Sequence, residues 1–594
     1  MNTLYPTRIL PVCIALLGGL LATAVASGEE TLPDSPVLMR ALGDEITRST
    51  SLQMEDLEKP YFIQFTVDDS LIYQITANNG DITTSERRRV RRLFARVRVG
   101  SYELDNTNFT GDESGFQMFF GGGGEGGQAR LPLDDDYPAL RQAIWWATDQ
   151  NYKDAVETLT KKRAYLKDKN VKDRPNDFSK ASVVESIEPT VKLDFDRSAW
   201  EERLKRASAQ FNKHAQIQEG RISLLAGAGN TYVVNTEGTR LRWPDSGAIL
   251  IVTAELQADD GMKLSDSLTY TAAAPPELPP IEKVIADIDQ MVGRLTNLAK
   301  APLLDRYSGP VLFDALAAAQ VFRTMFAEAV AGRADPVGTQ RRLITGAGSL
   351  EKNLGERILP ESYQIFDDPT VRQVQGAHLF GNYPFDDEGV RPERVDLVVD
   401  GTLQTMVMSR VPTKKLSAGN GHARRSPGQG ETPAAVGSLY IQSKEGVADE
   451  KLKAQLIAAA KEDGLEYALR VAGLRTAGIE MTRASLMTMI MNMQRSGREK
   501  SLDDPIYAYK VYVSDGHEEL VRGLEFGSIK LRDLKRIQAA GNTPTVYNYV
   551  GLGFGGATPM TSIVAPALLF KELELSKIEQ ENEKPPILKT PLAR

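Results

Sequence analysis

The stretch from Gly309 to Gly332, GPVLFDALAAAQVFRTMFAEAVAG, constrains this chain more than any other. It opens with a Gly-Pro turn signal and a short apolar run. A segment rich in Ala, Leu, Met and Phe follows, the composition of a helix, and Gly332 stops it. On a wheel of about 100° per residue, Leu312, Leu316, Ala319, Phe322, Phe326 and Val330 share one face, with Arg323 in its middle. A guanidinium buried without a partner costs several kcal/mol. Arg323 is therefore expected either to meet a carboxylate or to open into a cleft. The plainer alternative is a core helix whose arginine snorkels out past its neighbours.

A chain of 594 residues exceeds one hydrophobic core, so two or more lobes are expected. Its apolar content of 41% and charged content of 25% are those of a soluble globular protein. The net charge is −8, and the basic run RRRVRR at 87–92 is interleaved like a strand, which argues against nucleic-acid binding.

The N-terminus reads as a secretory signal. Arg8 precedes the apolar run ILPVCIALLGGLLATAVA, and Ala24-Val25-Ala26 is a small-x-small cleavage site. The expectation is a signal peptide over 1–26 and a periplasmic or secreted protein with no stable membrane span after its removal. The single cysteine, Cys13, lies inside that segment, so the mature chain would hold no disulfide, thiol nucleophile or cysteine ligand.

The rest divides at 305/306. Residues 27–305 read as a mixed α/β domain. Helices are expected over Ser35–Gln53, Ala139–Asp168 and Arg197–Gln216, and from the proline-rich joint APPELPP (274–280) to Ala301. Strands are expected at 61–67, 71–77 and 82–99, with three or four more from Arg221 to Leu256 broken at Gly-Asn, Glu-Gly and Asp-Ser-Gly. FFGGGGEGG (119–127) is too glycine-dense for a regular element and lacks the spacing and Lys-Ser/Thr of a phosphate loop. Residues 306–594 read as mostly antiparallel β with two main helices, the central one and 449–471. Strands are expected at 363–369, 395–401, 403–410, 437–443, 479–485, 506–514 and onward to Val521, and the Asp400-Gly401 turn is a strong hairpin signal.

Several C-terminal segments resemble the TldD/PmbA family, once described as modulators of DNA gyrase and including metallopeptidases. They are GPVLFD at 309, FDDEGVRPERVDLVVDGTLQTMVMSR (385–410), LSAGNGHARRS (416–426) and ELVRGLEFG (519–527), in the family's order. The resemblance implies a two-lobed α+β fold: a mixed α/β N-terminal domain and a mostly antiparallel β C-terminal domain around a central motif helix. In the metal-competent branch that helix carries His-Glu-x-x-x-His, with a later cysteine as third Zn²⁺ ligand and the Glu as general base. Histidines five apart sit about 140° apart on an ideal helix, so the motif needs a local bulge.

This chain departs at every such position. Alignment on Val321–Gly332 puts Arg323 at the first His, Thr324 at the Glu and Glu328 at the second His, and the cysteine position falls near Leu552. Arginine cannot ligate Zn²⁺. Of the four histidines, His214, His378, His422 and His517, none pairs with another at helical spacing. Asp386, Asp387 and Glu388 are able to chelate a hard cation, though the resemblance gives them a structural role.

The expected reading is an exported protein of this type without metal or other cofactor. By the precedent of the family's metal-free branch, it binds a peptide or unfolded protein segment, or serves as a partner subunit. It would act as a homodimer or as a heterodimer with a metal-competent paralogue. Arg323, Asp387, Asn420, His422 and Arg424 are the peptide-binding candidates. Arg323 would hold a peptide carboxylate, or pair with Glu328 or Asp387. The rivals are an active zinc peptidase with non-consensus ligands, carboxylates and His422 among them, and a purely structural cell-envelope factor.

Overall fold

The computed structural model describes residues 30–32, 34–111, 128–338, 350–417, 419–425, 432–475, 502–553, 556–579 and 591. The signal segment, the FFGGGGEGG stretch and the strand expected at 479–485 lie outside the described residues.

The N-terminal lobe is organised by an antiparallel sheet in the order Lys263–Ala272, Arg240–Gln257, Glu219–Asn235, Pro60–Asn78, Asp81–Val99, Gln128–Arg130, with Glu185–Ile187 added parallel to Arg240–Gln257. Three expected breaks are absent, Gly229-Asn230 among them, whose residues pair with Asp245 and Pro244 inside one strand. Asp68-Asp69-Ser70 does not separate two strands, because Asp69 is buried and ion-paired at 2.7 Å to both Arg89 and Arg91. Nor does Asp245-Ser-Gly turn: Asp245 pairs with Gly229 and Gly247 with Gly227 inside one continuous ladder. The real turn is Asn79-Gly80, both at positive φ, which joins the two longest strands.

Strand alternation divides this sheet into two surfaces. Ile63, Phe65, Val67, Leu93, Ala95 and Val234 face the helices Pro36–Ser49 and Tyr137–Asp168 at one end. Ile75, Leu224, Ala226 and Leu250 continue the same surface to Arg197–Ser208 and Ile281–Lys300 at the other. Ser35, Asp136 and Asp196 cap three of these helices through their side chains. The third ends at Ser208 and tightens into a 3₁₀ turn, short of the expected Gln216. The opposite surface, with Gln64, Asp68, Phe94, Arg96 and Trp243, meets the C-terminal lobe.

That lobe has two sheets. One runs Glu518–Val521, Pro505–Tyr512, Tyr467–Leu474, Arg306–Phe313, Leu568–Lys577, Leu524–Phe526. The other runs Thr402–Leu403, Val395–Val399, Tyr363–Asp367, Ser438–Ser443, Gly556–Ala565, Thr545–Gly553. Each contains one parallel pair within an otherwise antiparallel order. Asp400 and Gly401 take positive φ in the expected hairpin turn. Its second strand stops at Leu403 rather than running to Arg410. The expected helix 449–471 ends at Glu462, where Gly464 turns the chain at positive φ and Tyr467–Leu474 begins as a strand. Among the described residues, no helix is long and apolar enough to cross a membrane.

The central stretch divides as well. Its apolar opening is the strand Arg306–Phe313, and only Ala315–Phe322 is α-helix. Leu312 therefore belongs to a strand rather than to the helical face, and Leu316 is exposed. Ala319, Phe322, Phe326 and Val330 are buried as the wheel requires, with the helix packed against both sheets.

The buried carboxylate carries the longest strand pair. Asp69→Ala leaves fully buried Arg91 with only Asp135 and the Pro132 carbonyl, both on one guanidinium nitrogen, and is expected to cost about 3–5 kcal/mol. Urea unfolding of the full chain, followed by far-UV circular dichroism, measures the loss.

Candidate functional site

The helix Ala315–Phe322 leads directly into one π turn, Arg323–Ala327. The widened turn brings residues five apart towards one side, the local bulge that the family spacing requires. The turn begins at Arg323, so Arg323 and Glu328, five apart, lie at its two ends.

Arg323 is half-buried. Its Nη1 lies 3.5 Å from the Tyr547 hydroxyl, and its guanidinium carbon 5.0 Å from the Tyr549 ring centroid. The two tyrosines alternate along Thr545–Gly553, so both rings project to one side and stack at 5.4 Å. No ion pair joins Arg323 to a described carboxylate, Glu328 included; Asp503 acts on it from farther away. Burial opposes the Arg323 charge, yet the two tyrosine hydroxyls and Asp503 outweigh it and hold the guanidinium above its ordinary value. Burial likewise pushes the Tyr549 hydroxyl up, with Arg323 pulling the other way. Thr324 is half-buried beside Arg323, Glu328 is exposed, and Leu552 lies on the tyrosine-bearing strand, its backbone paired with Ala557. The Tyr547–Tyr549 platform escaped the sequence reading; the alternating TVYNYV was its only signal.

This donor set does not fit Zn²⁺. Thr324 and Glu328 offer a hydroxyl and a single carboxylate, while the guanidinium has no lone pair to donate and repels a dication. Among the described residues, no three His, Cys, Asp or Glu side chains converge as metal ligands.

The remaining candidates form the seam between the lobes. The Asp387 carbonyl accepts from Gln64 Nε2 at 2.8 Å, and its carboxylate accepts from the Arg425 backbone N–H at 2.5 Å. Asp387 therefore partners Arg425 and not Arg323. The Arg425 side chain reaches the N-terminal sheet, donating to Asp68 at 2.6 Å and lying 3.6 Å over the Phe94 ring. Glu388 accepts from the Arg410 N–H at 2.7 Å and stands 3.7 Å from Arg96. Asp386 is buried and accepts three backbone N–H groups, from Glu388, Val390 and Ala423.

His422 is wholly buried. Its Nδ1 meets Asn420 at 2.9 and 3.0 Å, and its Nε2 meets Asp367 at 3.0 Å. Asn420 accepts from the Met408 N–H and donates to the Met406 carbonyl. Of these two peptide-binding candidates, both hold a loop through hydrogen bonds; His422 is wholly buried and reaches no solvent, while Asn420 is half-exposed. Arg424 lies 4.2 Å over the Tyr383 ring and donates to the Met560 carbonyl. Met560 is one register step from the Tyr549–Thr561 pair, so Arg323 and Arg424 engage the same hairpin.

Residues 306–577 match the profile of the PmbA/TldA metallopeptidase C-terminal domain. A metalloprotease of Archaeoglobus fulgidus is 34% identical over 173 residues, 29% of this chain and 36% of that relative. A metalloprotease of Methanothermobacter thermautotrophicus is 38% identical over 87 residues, 14% of this chain and 18% of the relative. The chain thus spans little more than a third of the length of the first relative and under a fifth of the second. In fold it is similar to the proposed DNA gyrase modulator of Thermotoga maritima (TM-score 0.55, 15% identity, 86% of this chain and 96% of that one). It is also similar to TldE of Thermococcus kodakarensis (TM-score 0.55, 13% identity, 90% and 100%).

The seam has a pH dependence of definite sign. Burial first, then the Glu388 charge, push the Asp386 carboxyl up to about 8, so at neutral pH it stays protonated in the folded chain. An unfolded aspartate titrates near 3.9. The stabilisation it gives is therefore full below about pH 4 and is lost progressively as pH rises towards 8. Urea midpoints measured across that window are expected to fall with rising pH, and Asp386→Asn to lack that component.

Proposed function

The chain belongs to the TldD/PmbA family, and on that premise we propose that it is a metal-free, peptide-binding or partner subunit of a TldD-type peptidase assembly. The observation carrying this reading is Arg323. It occupies the first ligand position of the motif helix, on a π turn, with tyrosine neighbours and, among the described residues, no ion-paired carboxylate. A fixed cation beside stacked aromatic rings suits a carboxylate of an unfolded peptide, which takes charge-assisted hydrogen bonds from the guanidinium. The reading includes export after cleavage near residue 26 and pairing with a second copy or with a metal-competent relative that supplies the chemistry.

Two measurements test it. Elemental analysis of the mature protein, purified without a histidine tag, is expected to find less than roughly a tenth of an equivalent of zinc. Near one equivalent overturns the metal-free reading. Arg323→Ala is expected to weaken binding of an unfolded peptide with a free carboxylate by about tenfold or more, and to leave its amidated form unaffected. A drop in melting temperature with unchanged affinity would assign Arg323 to the fold instead.

A further inference from the structure

The basic run 87–92 is split by strand alternation into two sets with different fates. On the helix-facing side every arginine has a partner. Arg91 ion-pairs with Asp69 and Asp135, Arg89 with Asp69, and Arg87 donates to the Tyr73 hydroxyl. On the other side stand Arg88 and Arg92, and Arg130 of the neighbouring short strand lies directly opposite Arg92. None of these three makes a described ion pair. Asp68 is opposite Arg92 on the other flank, but its carboxylate binds Arg425 at 2.6 Å. Glu86, two residues from Arg88 on the same face, is exposed and makes no ion pair with it.

Like charges directly opposite across a ladder are destabilising, and this pair sits in a chain whose net charge is −8. The same strand is also a sheet edge. Gln128–Arg130 pairs with Arg92–Phe94, the Leu131 N–H donates to the Arg91 carbonyl and Arg197 to the Ser85 carbonyl, and among the described residues no strand pairs with the outer edge of Glu86–Val90.

We propose that this edge is a docking strip for an extended acidic polypeptide segment, which adds to the edge of Glu86–Val90 and places carboxylates against Arg88, Arg92 and Arg130. Backbone groups of the edge give the segment affinity without sequence reading, and the arginines select its charge. An uncharged or basic strand meets the same edge without that gain. The proposal rests on the N-terminal lobe alone and does not depend on the role of Arg323.

The test is fluorescence anisotropy of the mature full-length chain with a labelled peptide of alternating Glu and Thr, at low and high salt. Binding is expected at low salt, weakened by salt and by about fivefold for each of Arg88→Gln and Arg130→Gln. Both side chains are exposed, so the fold is expected to tolerate their loss. The double variant Arg92→Glu/Arg130→Glu is expected to reverse preference towards a Lys-Thr peptide of the same length. Absence of binding, or affinity unchanged in all three variants, overturns the proposal. So does oligothymidylate competing as well as the Glu-Thr peptide, which would make the strip a general anion patch.

Discussion

The two lobes of this chain are held in register by a buried arginine. Arg425 leaves the Gly-rich loop of the C-terminal lobe, crosses the seam and ends between Asp68 and Phe94 of the N-terminal sheet. Its backbone is fixed at the same time by the Asp387 carboxylate. A guanidinium taken out of water is tolerated only with its partners in place, so the lobes dock where those partners meet. Gln64 to Asp387, Arg96 to Glu388, and Arg410 to Glu237 and Ser179 repeat the arrangement along the seam. Hydrogen bonds and ion pairs are directional where apolar contacts are not, and this seam is correspondingly specific.

Everything around the motif helix depends on that docking. Asn548, between the two tyrosines that flank Arg323, donates to Thr271 of the N-terminal sheet and to the His378 carbonyl. The tyrosine-bearing hairpin is thus anchored to the opposite lobe through the alternate face of the same strand. The helix itself is wedged between two sheets and continues into the π turn Arg323–Ala327. Arg323 stands at the start of that turn as a fixed side-chain cation beside the two tyrosine rings.

Much of this was legible in the residues. Three helices start within two residues of the expected Ser35, Ala139 and Arg197, Asp400-Gly401 makes its turn, and the order of four short segments placed the C-terminal lobe in its family. Arg323 stood out on the helical wheel because its charge broke an apolar face, and the structure places it in a half-buried aromatic setting. The misreadings share a cause. Asp68-Asp69-Ser70 and Asp245-Ser-Gly carry the composition of turns, but partners distant in sequence hold them in strands. His422 carries the composition of a binding loop, and burial against Asp367 takes it out of solvent. Local composition reports what a segment tolerates, and tertiary partners decide which of those options it takes.

The sequence by itself determined the lobe count, the helix starts, the hairpin turn and the absence of a histidine pair on the motif helix, because each follows from residue type at short range. Only the tertiary structure decided which arginines are paired and which are not. RRRVRR reads as a single basic run, yet alternation sends Arg89 and Arg91 to Asp69 and leaves Arg88 and Arg92 facing the other way. The tyrosines beside Arg323 lie 224 residues and more along the chain from it. An ion pair or a stacked ring is a contact in space, and only the folded sheets bring those residues together.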